Sequence, residues 1–163
     1  MRIAVISDTH LPRGARALPA ACVERLAGAD LIVHCGDLVS LAFLDELRHL
    51  GPPVEAVHGN MDEPAVRDAL PAERVVEAAG ARIGVVHEPG LLEGRAERLL
   101  GRFPGCDAVA FGHTHLPVVE RVGECWLLNP GSPTERRRAP SHTMIELSVD
   151  GGRIAADLIE LAP

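Results

Sequence analysis

The chain has 163 residues, enough for one compact domain that buries about 70% of the surface its unfolded form exposes, and too few for a second full domain. Sixteen basic against twenty-three acidic residues leave a net charge of −7, which argues against a basic nucleic-acid binder or a protein held on anionic membranes. All sixteen basic residues are Arg, so Schiff-base lysines, a phosphate-loop lysine and any catalytic lysine are excluded.

Residues 3–6 form a short β-branched run of the length of a buried strand. Pro19 opens a helical pattern through Cys22, Val23 and Leu26, and residues 31–33 predict a second strand. Ser40 can cap a helix through Leu41, Leu44 and Leu47, which Gly51-Pro52-Pro53 ends before a strand at 54–57. A weaker helix at 64–69, a strand at 83–86, a helix at 94–102 and a strand at 108–111 follow; Ala96, Leu99 and Leu100 share a face of that last helix. Beyond His115 the texture changes. Residues 118–122, 126–128, 143–149 and 153–161 read as strands joined by Gly-bearing turns, which favours antiparallel pairing. An α/β half followed by a mostly β half suggests two sheets packed face to face with helices outside, as a single domain over residues 1–163.

No apolar run approaches the roughly 20 residues of a membrane helix, and Asp8 interrupts the N-terminal run before a signal-peptide core can form. A soluble cytoplasmic protein with no membrane partner is expected. Cys22, Cys35, Cys106 and Cys125 lack any Cys-x-x-Cys spacing and read as reduced, small core residues. With only three Phe and one Trp, the core must be mostly Ala, Leu, Val and Ile.

The informative residues stand directly behind the early apolar runs: Asp8-Thr9-His10, Gly36-Asp37, Gly59-Asn60, His87 and Gly112-His113-Thr114-His115. In an α/β sheet the carboxyl ends of the strands share one edge, so these groups should converge in a crevice. Two carboxylates, one amide oxygen and four imidazoles suit borderline divalent transition metals rather than magnesium or calcium. Seven donors exceed the needs of one ion and suit a pair about 3.5–4 Å apart. Taken alone, each piece has a plainer reading, since a single strand-end His is more often a hydrogen-bonded structural residue.

The series Asp8-x-His10, Gly36-Asp37, Gly59-Asn60-x-Asp62, His87, Gly112-His113-x-His115 and Asn129-Pro130-Gly131-Ser132 resembles the calcineurin-like metallophosphoesterase superfamily, in its small YfcE-like phosphodiesterase branch. That resemblance spans nearly the whole chain and implies a four-layer α/β/β/α sandwich of two mixed sheets with flanking helices. It implies that Asp8, His10, Asp37 and His115 hold one ion, that Asp37, Asn60, His87 and His113 hold the other, and that Asp37 bridges. A hydroxide between the ions would be the nucleophile, with Asp37, Asn60 and His113 closest to the chemistry. The chain departs from the pattern in three places. Met61 stands where the wider superfamily has a proton-donating or phosphate-contacting His, which the smaller branch commonly lacks too; His58 replaces an expected Arg; and His87-Glu88-Pro89 replaces His-Gly-His, which puts Glu88 close to an anionic substrate.

The function expected is hydrolysis of a small phosphate ester, most simply a phosphodiester, by a pair of divalent ions, with Mn²⁺ favoured and Ni²⁺, Zn²⁺ or iron as candidates. A non-catalytic interaction scaffold of the same fold is the alternative, as in retromer-associated relatives whose metal site has degenerated. Nucleic acid is disfavoured as a partner, and homo-oligomerisation stays open. His34, His49 and His142 read as hydrogen-bonded structural imidazoles, Trp126 as core, and Asp62 as a group that orients a ligand. Arg13, Arg16 and the run Arg136-Arg137-Arg138 are either phosphate clamps or solvated loop charges, and His58 is a candidate substrate contact.

Overall fold

A computed structural model describes residues 1–13 and 17–162. Strand β1 (Arg2–Ile6) points Ile3 and Val5 to one face and Ala4 and Ile6 to the other; all four are buried, so the strand needs cover on both sides. β2 (Leu31–His34) and β3 (Val54–Ala56) lie beside it in parallel, and helices α1 (Ala20–Ala27) and α2 (Leu41–Arg48) make the crossovers. Pro19 sits at the N-cap of α1, and the Ser40 hydroxyl caps α2 by accepting from the Phe43 amide at 3.2 Å.

After α3 (Pro64–Ala69), β4 (Glu73–Ala78) turns through Ala79 and Gly80 into β5 (Ala81–Val86). α4 (Arg95–Arg102), β6 (Ala108–Ala110), β7 (Val118–Val122) and β8 (Cys125–Asn129) continue a second sheet of order β4-β5-β6-β8-β7. The hairpin β9 (His142–Asp150) and β10 (Arg153–Leu161) returns to the first sheet, whose order is β10-β9-β1-β2-β3.

The two sheets face each other across Ile3, Val5, Val33, Ile83, Val85 and Leu128. On the far side of the first sheet, Ala4, Ile6 and Ile32 meet Leu26 of α1 and Phe43, Leu44 and Leu47 of α2. On the far side of the second, Val86, Val109 and Leu127 meet Leu99 of α4. The result is the expected four-layer α/β/β/α sandwich of mixed sheets.

One strand goes beyond the sequence pattern: β4 does not show there, because Arg74 and Val75 break the alternation of Glu-Arg-Val-Val-Glu-Ala and only Val76 and Ala78 of this edge strand are buried. The antiparallel pairing expected of the late strands holds in both hairpins, β7 with β8 and β9 with β10, and β9 also pairs antiparallel with β1; β8 alone adds a parallel pairing, with β6. The late strands therefore complete both sheets. Parallel strands of each sheet (β1, β2 and β3 in one, β5, β6 and β8 in the other) are what carry the polar motifs at their carboxyl ends.

Candidate metal centre

All seven polar side chains behind these strands lie in one cluster, drawn from two sheets rather than from one open sheet. His115 Nε2 is 3.3 Å from Asp8 Oδ1, and the His10 and His115 rings stack with centroids 5.2 Å apart. Asp37 Oδ2 is 3.6 Å from His10 Nε2 and 3.3 Å from His87 Nε2, so one oxygen faces both sides of the cluster. Asn60 Oδ1 lies 3.0 Å from His87 Nε2 and 3.1 Å from His113 Nδ1. Asp8, His10 and His115 form one group of three donors within 4.8 Å of one another, and Asp8, Asp37 and His87 form a second. Asp8 is the member common to these two triads. Five of the seven residues are buried; Asn60 and His113 form the solvent-facing rim.

The hydrogen bonds around the cluster test whether it suits a cation. His87 Nδ1 lies 2.8 Å from the Cys35 carbonyl and His115 Nδ1 lies against the Glu135 carbonyl. A carbonyl only accepts, so each Nδ1 carries the proton, and in a neutral ring each Nε2 presents a lone pair. Those lone pairs point at carboxylate and amide oxygens. Asp8 Oδ1, His10 Nε2 and His115 Nε2 are buried with no hydrogen-bond partner among the described residues. Lone pairs converging on lone pairs in a buried site are costly unless positive charge lies among them. The donor set fits a divalent ion, and the carbonyls behind the imidazoles orient them as such a site requires.

Proton affinities report the same field. For His87 and His115 burial alone would lower the pKa, but the carboxylates of Asp37 and Asp8 outweigh it and hold both above the usual imidazole value. For Asp37 burial would raise the pKa; hydrogen bonding and charge from His87, helped by the Met61 amide and His10, bring it to about 2. His10 moves downward because burial dominates its carboxylate neighbours.

Backbone geometry makes the convergence possible. Asp8, His10, Asp37, His113 and His115 all have φ between 48° and 69°, the left-handed region that non-glycine residues seldom adopt. Asp62, buried in the loop after β3, helps to hold this shape. Its carboxylate accepts from the amides of Asp37 at 3.1 Å, Val39 at 2.5 Å and Gly59 at 2.6 Å, tying the Asp37 loop to the Asn60 loop. His34 ties two others: Gly36 N donates to its Nδ1 at 3.1 Å, which leaves Nε2 as the donor to Thr9 Oγ1 at 3.0 Å. Burial drives its pKa down to about 3, so the brace is neutral. Gly59 and Gly112 admit no side chain here. A Cβ on Gly59 would strike Asp37 Oδ1, and one on Gly112 would strike Ser7 Oγ and stand 2.8 Å from Asp8 Oδ2.

Asp62→Ala should therefore lower metal affinity about 10- to 100-fold without removing a donor, because orienting partners typically have effects of that size. Three amides that it now satisfies would lose their acceptor, at about 1–3 kcal/mol for each that stays buried. Metal titration and thermal unfolding read the two effects separately.

The remaining sequence readings divide. His34 is a structural imidazole, whereas His49 is exposed and bonds the Asp45 carbonyl at 2.6 Å. Trp126 packs against the inner core and donates to the Ile154 carbonyl at 3.1 Å. Cys22, Cys35 and Cys125 are buried and Cys106 half-buried, all as free thiols. Arg13 is exposed, Arg16 lies outside the described residues, and His58 lines a cleft beside Asn60 and His87. Arg136 donates to the Ala139 carbonyl at 2.8 Å and Arg137 pairs with Glu135 at 3.5 Å, so both have partners in their own loop. That loop nevertheless reaches the cluster. Ser132 Oγ donates to the Asp8 carbonyl at 2.8 Å, Thr134 Oγ1 to the Thr9 carbonyl at 2.7 Å, and Glu135 Oε2 stands 4.0 Å from His10 Nε2. Nothing in residue type or spacing marks Glu135 and Thr134 in the sequence. Only their place shortly after the Asn129-Pro130-Gly131-Ser132 turn could have drawn attention to them.

The two-sheet sandwich gathers a buried His and Asp cluster at its strand ends, suited to divalent metal, and comparison with known proteins gives the family. Residues 1–152 match the calcineurin-like phosphoesterase superfamily domain, and the chain belongs to that superfamily, in its small archaeal-type branch. It is 39% identical over 161 residues to a probable metallophosphoesterase of Methanothermobacter thermautotrophicus, across 98% of this chain and 92% of that relative. It is 29% identical over 148 residues to a phosphodiesterase of Methanocaldococcus jannaschii, across 80% of this chain and 83% of the relative. The crystal structure of Vps29 from Entamoeba histolytica, complexed with zinc, superposes with a TM-score of 0.78 over 98% of this chain and 99% of its own; at 22% identity this is likeness of fold alone.

Proposed function

We propose that the protein is a phosphodiesterase that works with two divalent ions, Asp8, His10, Asp37 and His115 holding one and Asp37, Asn60, His87 and His113 the other. The observation that carries this reading is the set of buried donor atoms, Asp8 Oδ1, His10 Nε2 and His115 Nε2, that have no hydrogen-bond partner among the described residues yet point at one another. When bound, such ions acidify a shared water into a nucleophile and offset charge on the phosphoryl oxygens. The protein supplies the rest. Asp37 is fixed through Met61 N, which donates to Oδ1 at 2.8 Å and leaves Oδ2 to face both sides. Asn60 and His113, on the rim, are the ligands that an entering phosphate meets first. The similarity to a phosphodiesterase favours diesters, and the donor set suits Mn²⁺, with Ni²⁺, Zn²⁺ or iron able to compete.

Elemental analysis after manganese loading should give two ions per chain, and hydrolysis of bis(p-nitrophenyl) phosphate should vanish with chelator and return with metal. One ion or none would overturn the two-ion centre. Two ions without hydrolysis of any phosphate ester would instead favour a scaffold that keeps its metals.

A further inference from the structure

Beside the metal centre lies a cleft of about 300 Å³ lined by His58, Asn60, Arg67, His87, Glu88 and Arg102 among others. Asn60 and His87 belong to both places, so a group held at the metal centre has a direct way into the cleft. Two of its charged side chains are arginines and one is a carboxylate. Of the two arginines, Arg67 is the one that no carboxylate neutralises among the described residues. Its Nε donates to the Asp62 carbonyl at 3.0 Å and one Nη donates to the Asn60 carbonyl, both neutral acceptors. The Arg2 and Arg98 side chains likewise bond only carbonyls but do not line this cleft, whereas Arg102, the other arginine here, pairs with Glu73. In a chain of net charge −7, an unneutralised guanidinium is thus fixed against the Asn60 loop with its other Nη unengaged. Arg102 is tied to Glu73, but both are exposed, and an exposed pair is weak enough to yield to a better anion.

We infer that this cleft binds a second anionic group on the ester arm of the substrate, with Arg67 as its principal contact and Arg102 as a second. The inference rests on the phosphodiesterase reading and narrows its substrate class: the preferred diester carries a further phosphate or carboxylate a short distance from the scissile phosphorus. Glu88 also lines the cleft and offsets part of its positive charge, which favours one such group over several. A planar guanidinium suits either oxyanion, because both accept paired N–H donors.

The test uses manganese-loaded protein and calorimetric affinities. Methylphosphonate is compared with alkane bisphosphonates of two to six carbons, with ω-carboxyalkyl phosphonates of the same lengths, and with ω-hydroxyalkyl phosphonates as neutral controls. At one spacer length an anionic end should tighten binding about tenfold or more over methylphosphonate, as expected of charge-assisted hydrogen bonds. The bisphosphonate and carboxylate series then show which oxyanion the cleft prefers. Arg67→Gln should bring that ratio close to one and Arg67→Lys should keep part of it. The ratio is the readout, because losing the bonds to the Asn60 and Asp62 carbonyls moves both affinities together. A flat series, an equal gain from the hydroxyl arm, or an unchanged ratio in Arg67→Gln would overturn the inference. Failure of methylphosphonate itself to bind loaded protein would count against the phosphodiesterase reading instead.

Discussion

Asp37→Asn should abolish measurable hydrolysis and lower the affinity of both ions, where His10→Ala should weaken mainly one. Asp37 Oδ2 stands between His10 Nε2 and His87 Nε2, at 3.6 and 3.3 Å, so an amide there removes negative charge from both halves of the centre at once. The substitution is nearly isosteric, and the Met61 amide can still donate to a carbonyl at the Oδ1 position. The fold should therefore persist, and the loss belongs to the site. Elemental analysis combined with circular dichroism decides the matter: two ions retained at parental affinity would refute the bridge, and an unfolded chain would be visible directly.

The second large effect concerns the leaving group. The position after Asn60 holds Met61, 41% exposed and unable to donate a proton from its side chain. General acid catalysis typically contributes about 10²- to 10⁴-fold and matters most for alkoxides of high pKa. Aryl phosphodiesters should accordingly be cleaved far faster than alkyl ones, with a steep dependence of rate on leaving-group pKa. His58, half-buried, is the one imidazole outside the seven among the residues lining the adjoining cleft. A flat dependence, with the chemical step rate-limiting, would show that a proton donor operates; recovery of a steep slope in His58→Ala would identify it.

Which parts of this architecture could be read in advance follows from what each depends on. Residue type and order mark strand ends, so Asp8, His10, Asp37, Asn60, His87, His113 and His115 could be grouped before any coordinates, as could Ser40 as a cap and Pro64 as a helix start. Edge strand β4 escaped because an edge strand is selected on one face only, and Arg74 and Val75 disguise that face. The second support layer escaped for a different reason. The partners of His87 and His115 are the main-chain carbonyls of Cys35 and Glu135, and a carbonyl has no residue type to recognise. Asp62 was legible as a supporting carboxylate, but that it spans three amides on two loops depends on how those loops close.

The left-handed backbone at the cluster sets the chemistry of this fold against its stability. At His113, where φ is 69°, the side chain costs the chain conformational energy that a glycine would not incur, so His113→Gly should yield a metal-free protein about 1 kcal/mol more stable than His113→Ala, as measured by chemical denaturation. The same tension recurs at Asp8, His10, Asp37 and His115. Selection for thermal robustness alone would act against the side chains at these five positions, and their persistence in a laboratory lineage would be a sensitive record that the cluster still serves bound metal.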